Sequence, residues 1–179
     1  MDIGPRHLIK WGIAGWTFLF VLITYFLIHD YEAIEQLIFN NNTQVLLSFI
    51  FLFLSSGIIL GNIIYHISIA LGFVVWSNSK KHFKDDWDLN HNLMNHPKGK
   101  EIQNLYRSRL GNVLVVNALL FSLLLSFITL VIFCFTIAIS KSILLLMAIV
   151  LGLILIVLAN LLFLQNTLRY FVKRINSGF

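Results

Sequence analysis

The sequence predicts an all-α, polytopic membrane protein with four transmembrane helices, and three observations carry that expectation. Hydrophobic residues make up 58% of the 179-residue chain and charged residues only 12%, about half the charged share with which a soluble domain covers its surface. The mean hydropathy is +0.84, and the apolar residues are gathered into runs that match the roughly 20 helical residues needed to cross a hydrocarbon core. Lysine and arginine, finally, fall almost entirely on alternate sides of those runs.

The first span is expected at about 11–28. Arg6, His7 and Lys10 precede it, as in a secretory signal, but the run is longer than a signal core. No small-x-small cleavage site follows it before His29-Asp30-Tyr31-Glu32, so it is expected to be retained. A short loop, about 29–44, holds Asp30, Glu32 and Glu35 and no basic residue. The second span is expected at about 45–76, followed by a polar segment, 77–109. The third, at about 110–139, meets the fourth, at about 143–164, through a tight turn at Ser140-Lys141-Ser142. The tail, 165–179, carries Arg169, Lys173 and Arg174. Residues 1–179 thus read as one four-span domain.

Spans 2 and 3 are longer than a crossing requires. About 30 residues at 1.5 Å each make a helix of roughly 45 Å against a core of about 30 Å. Helices 2 and 3 are therefore expected to project into the cytoplasm as a short extension, capped by a turn at 90–99 that contains Pro97-Lys98-Gly99.

Orientation follows from the distribution of basic residues, which are retained on the cytoplasmic face. The N-terminal segment, the 77–109 segment and the tail hold twelve of the thirteen lysines and arginines, and Lys141 is the exception. Both termini and the long loop are therefore expected inside. Trp11, Trp76 and Tyr170 would anchor the inner boundary, Tyr25 and Tyr31 the outer one. The bias towards Ile, Lys, Asn and Phe reads as an AT-rich bacterial genome, which makes a prokaryotic inner membrane the expected location.

On span 2, Gly57, Gly61, Tyr65, Ser68 and Gly72 share one helical face. Gly57 and Gly61 form a GxxxG pair, which permits close backbone approach where lipid supplies no hydrophobic drive for association. That face serves either helix packing within the chain or an oligomer interface. Asn62 and His66 lie beside it, one turn apart. A polar pair inside a span is costly unless it meets protein or water; it is either an interhelical hydrogen-bond site or part of a pore lining, where histidine would titrate near neutral pH.

Span 3 offers Ser122, Ser126 and Thr129 as a polar stripe, with Asn112 and Asn117 nearby. Span 4 offers Ala148, Gly152 and Ala159 as a small-residue stripe, with Asn160 beside it. Interhelical packing is the simplest role for these hydroxyls and amides, and a polar pore the alternative. No Asp, Glu, Lys or Arg falls in the middle of a span, which argues against an ion-coupled transporter or proton pump.

The 77–109 segment contains His82, Asp85, Asp86, Asp88, His91 and His96, in a spacing that matches no H-E-x-x-H or similar metal pattern. There is no glycine-rich phosphate loop, nucleophile elbow or R-x4–6-H nuclease pattern. No catalytic residue, metal or cofactor is therefore assigned. The single cysteine, Cys134, reads as a small buried hydrophobe. Lys80, Lys81, Lys84, Arg107 and Arg109 are candidates for docking lipid headgroups or a cytoplasmic protein partner. No feature points to direct nucleic-acid binding.

The segments Lys10-Trp11-Gly12-Ile13-Ala14-Gly15-Trp16, Gly61-Asn62-Ile63-Ile64-Tyr65-His66, Trp87-Asp88-Leu89-Asn90-His91 and Tyr106-Arg107-Ser108-Arg109 resemble those of the small four-span accessory membrane proteins encoded at type VI CRISPR loci. The resemblance covers about a fifth of the chain. It implies modulation of RNA-guided antiviral defence at the membrane, with oligomerisation into a pore as the means. Together with the absence of a catalytic constellation, it makes a non-enzymatic, self-associating effector or accessory protein the leading expectation. A four-span immunity protein that binds a pore-forming toxin in the bilayer is the alternative.

Overall fold

The computed structural model describes residues 5–32, 43–76, 91, 99–136 and 140–176. Four long helices account for nearly all of them: α1 (Pro5–His29), α2 (Thr43–Trp76), α3 (Gly99–Thr136) and α4 (Lys141–Asn176). No strand occurs among the described residues. Each helix is long and apolar enough to cross a membrane, as the charge-free runs predict. Lys80, Lys81, Lys84 and most of the expected 90–99 turn lie outside the described residues.

The helix ends follow from local chemistry. Pro5 opens α1, at a first-turn position where the amide that proline lacks would have no partner. Gly99 opens α3 just after Pro97. Ser140 caps α4: its Oγ accepts the Ile143 amide at 3.2 Å, and its carbonyl oxygen accepts the Leu144 amide at 3.1 Å. A serine at this position satisfies an amide that has no partner within the helix. Of the expected turn Ser140-Lys141-Ser142, Ser140 caps α4, and Lys141 and Ser142 already belong to that helix. The expected tail is also largely helical, because α4 continues to Asn176.

Contacts between helices fix their directions. Trp11 of α1 meets Gly61 and Tyr65 of α2, while Trp16 meets Leu54 and Gly57, so these two helices run antiparallel. Ala14 pairs with Ser122 and Tyr25 with Phe133, which makes α1 and α3 parallel. Arg109 lies over Phe171, and Cys134 lies against Met147, so α3 and α4 are antiparallel. The result is an up-down-up-down bundle. The helices α1 and α3 lie at its centre, and α2 and α4 pack on its flanks.

The main core gathers Val21 and Tyr25 of α1, Leu120, Leu123 and Leu130 of α3, and Val150 and Leu161 of α4. A second cluster, Ala14, Ile64 and Ala118, ties α1, α2 and α3 together. Large apolar side chains are exposed on the outer faces of α2 and α4, including Phe51, Ile59, Leu145, Leu155 and Phe163. In water such faces would be an aggregation liability; against lipid tails they are well matched.

One sequence expectation changes. Tyr25 is not an exposed boundary anchor: it is fully buried, 5.0 Å from Phe133 between ring centroids, with His29 stacked at 6.1 Å. The segment that would carry the expected joint extension of helices 2 and 3 lies largely outside the described residues. The first turns of α3 pack on the last turns of α4, where Ile102 and Tyr106 surround Ile175 with Phe171 and Val172. The reason is periodicity. These five residues form matching apolar stripes on two helices that both outrun the roughly 20-residue crossing length.

Candidate functional site

The site the structure assembles is a buried seam of small and polar residues between α1, α2 and α3. Its centre is the crossing of α1 and α2. A Cβ added to Gly15 would collide with the carbonyl oxygen of Gly57 and stand 2.5 Å from the Gly61 amide nitrogen. A Cβ on Gly57 would run into the Trp16 indole, and one on Gly61 would strike the Trp11 carbonyl oxygen. Only glycine lets the two backbones lie this close. The Trp16 indole then closes the crossing by donating its Nε1–H to the Leu54 carbonyl oxygen at 3.1 Å.

The same face of α2 meets α3 further along. Ser68 is fully buried; its Oγ donates to the Tyr65 carbonyl oxygen at 2.8 Å, and its own carbonyl accepts Asn117 Nδ2 at 3.1 Å. Asn117 also lies over Gly72, where a Cβ would stand 3.4 Å from Nδ2. Tyr65 is half-buried, its ring 6.5 Å from that of Trp11. Gly57, Gly61, Tyr65, Ser68 and Gly72 thus form one face, as their spacing requires, and within the chain that face packs on α1 at one end and α3 at the other.

On α3, Ser122 and Ser126 are fully buried. Ser122 Oγ donates to the Ala14 carbonyl oxygen at 2.5 Å, and Ser126 Oγ donates to the Ser122 carbonyl oxygen at 2.9 Å. Thr129 is different: it is half-buried and donates to Leu125 of its own helix at 2.9 Å. Own-helix bonding of this kind also accounts for Thr17, Thr24, Ser55 and Thr167. It satisfies a hydroxyl in an apolar setting without joining two helices.

The other polar residues do not converge on this seam. Asn112 and Asn160 are exposed. His66 is exposed too, with its ring edge-on to Tyr65 at 5.7 Å. Asn62 is half-buried, and its Oδ1 is buried without a hydrogen-bond partner among the described residues, as is Tyr25 Oη. A single chain therefore does not gather Asn62, His66, Asn112, Asn117, Ser122, Ser126, Thr129 and Asn160 around one lumen. Arg107 and Arg109 are exposed on the first turns of α3, and the Arg109 guanidinium sits 4.5 Å from the Phe171 ring centroid.

The sequence reading missed α1. Gly15 and Ala14 form the other half of the seam, and Trp16 locks it. The signal was present in the small residues of Gly12-Ile13-Ala14-Gly15, flanked by Trp11 and Trp16. It is masked by the ordinary appearance of a first apolar span.

Compared with protein-family models, with curated proteins and with solved structures, the chain finds no match in any of the three.

Proposed function

We propose that the chain is a non-enzymatic, multi-pass protein of a prokaryotic inner membrane, with both termini cytoplasmic. It acts by self-association, as an effector or accessory subunit of an antiviral defence system whose assembly permeabilises the membrane. The bias of twelve basic residues against one supports the orientation, and the four sequence segments that resemble type VI CRISPR accessory proteins support the setting.

The observation that carries the assembly reading is the outer face of α4. Ala148, Ala159 and Asn160 are exposed there, and a Cβ on Gly152 would meet nothing within 4 Å. An amide facing hydrocarbon is costly unless it finds a partner, and small residues beside it permit a second helix to approach closely. The Gly57–Gly61 pair is occupied by α1, which leaves α4 as the helix for a second copy. Self-association would also bring polar residues from several chains together, which one chain alone does not.

Dye release from phosphatidylglycerol-containing liposomes, measured against protein-to-lipid ratio, tests the reading. Release that rises more steeply than linearly, alongside cross-linked oligomers, is the expected result. Intact liposomes with monomeric protein at every ratio would overturn it. Protection of cells against an added pore-forming toxin would favour the immunity reading instead.

A further inference from the structure

Both α3 and α4 carry a charge-free run, Leu110–Thr136 and Ser142–Leu168, each roughly 27 residues or ~40 Å long. That length matches the roughly 40–45 Å of a bilayer with its headgroup layers. Beyond the runs, at the same end of the bundle, the two helices stay packed together through Ile102, Tyr106, Phe171, Val172 and Ile175. Their apolar stripes are thereby used up, and the charges point outwards. Lys100, Arg107, Arg109, Arg169, Lys173 and Arg174 are all exposed, and Glu101 is the one acid on these turns.

Their heights along the bundle are set by the antiparallel packing. Arg109 is level with Phe171, so Arg107, Arg109, Arg169, Lys173 and Arg174 fall within about two turns of where the charge-free runs end. Tyr170, 69% exposed, stands among them. An aromatic ring with a polar tip is suited to the headgroup layer.

We infer that the paired ends of α3 and α4 form a basic collar that binds the phosphate headgroups of anionic phospholipids and so fixes the depth of the bundle. The inference rests on the membrane-spanning reading. A soluble acidic protein or a nucleic acid would need cations spread further from the bilayer, whereas five of the six here lie within about two turns of the ends of the charge-free runs, at the outer edge of the headgroup layer and within side-chain reach of its phosphates. Arginine suits this role because its planar guanidinium can pair with phosphate in two-point fashion.

The test uses the full chain reconstituted in phosphatidylcholine bilayers with and without phosphatidylglycerol. Retained lipids are counted by native mass spectrometry after detergent extraction. Wild-type protein should retain phosphatidylglycerol over phosphatidylcholine. In the Arg107→Gln/Arg169→Gln/Lys173→Gln protein that preference should fall by roughly fivefold for each charge removed, with helical content unchanged. Should the triple variant lose its helical content, the three single variants are compared with Lys141→Gln, which changes a lysine at the opposite end. Equal retention of both lipids by the wild type would overturn the collar, as would an unchanged preference in the variants or loss of as much preference in Lys141→Gln. Retention of heparin or RNA in place of phosphatidylglycerol would overturn it in favour of a polyanion partner. Release of the wild type from vesicles by alkaline carbonate would mark a failure of the membrane reading itself. A protein that resists carbonate yet shows no lipid preference defeats only the collar.

Discussion

The carbonyl oxygen of Gly57 occupies the place that the Cβ of any other residue at position 15 would need. The α1–α2 crossing is thus set by contact between two backbones. Lipid tails are as apolar as leucine, so helices in a bilayer are held by close packing and interhelical hydrogen bonds, not by hydrophobic exclusion. Gly15, Gly57 and Gly61 consequently set how closely α1 approaches α2.

Gly15→Ala should accordingly destabilise the bundle by about 1–3 kcal/mol, the usual cost of forcing extra atoms into a packed interior. Gly61→Ile should do so more severely. Gly152→Ala should stay within about 0.5 kcal/mol of wild type, because its Cβ meets nothing. Unfolding in mixed micelles, followed by circular dichroism, measures all three. Equal effects at Gly15 and Gly152 would refute the assignment of the crossing.

Hydroxyls on the same helix should behave differently according to their partners. Ser122→Ala removes a bond from α3 to α1 and should cost about 0.6 kcal/mol, with about 2 as the upper limit. Thr129→Val removes only a bond within α3 and should be close to neutral. The same unfolding measurement distinguishes them, and a larger loss at Thr129 would contradict the geometry.

Buried polar atoms without hydrogen-bond partners among the described residues predict gains in stability. Tyr25 Oη and Asn62 Oδ1 are both in this position, and an unsatisfied buried group carries a desolvation cost of about 1–3 kcal/mol. Tyr25→Phe and Asn62→Leu should therefore leave stability unchanged or raise it by about 1 kcal/mol, while His66→Gln, at an exposed position, should be neutral. A loss above about 1 kcal/mol in Tyr25→Phe would show that the hydroxyl has a partner in the membrane.

For assembly, Gly152→Ile combined with Asn160→Leu should leave the monomer folded but lower the oligomer fraction in cross-linking and abolish dye release. Gly61→Ile should instead reduce the yield of folded protein. If the α4 double variant still assembles fully, self-association through α4 is wrong.

Topology is open to a direct measurement. A reporter active only in the cytoplasm should be active when fused after Phe179 or within 90–99, and silent at 40–43. Activity at 40–43 would reverse the proposed orientation.

The sequence by itself determined that there are four long apolar helices, because run length and the exclusion of charge are one-dimensional properties that bilayer thickness converts directly into helices. It also determined which residues of α2 share a face, since helical periodicity fixes Gly57, Gly61, Ser68 and Gly72 on one side. It left open what that face meets. Only the tertiary structure decided that Gly15 and Trp16 of α1 fill it, and that Asn117 reaches across from α3 to Ser68. The same is true of Ser122 and Thr129, two hydroxyls on one apolar helix, of which one bonds across to α1 and the other to its own helix. The packing of the α3 and α4 ends shows the same limit. Length marks a helix that outruns the membrane, but its partner beyond the membrane is chosen by matching apolar stripes, and those of α3 fit α4. Periodicity says which side of a helix is adhesive; the neighbour to which it adheres depends on three-dimensional complementarity between segments far apart in the chain.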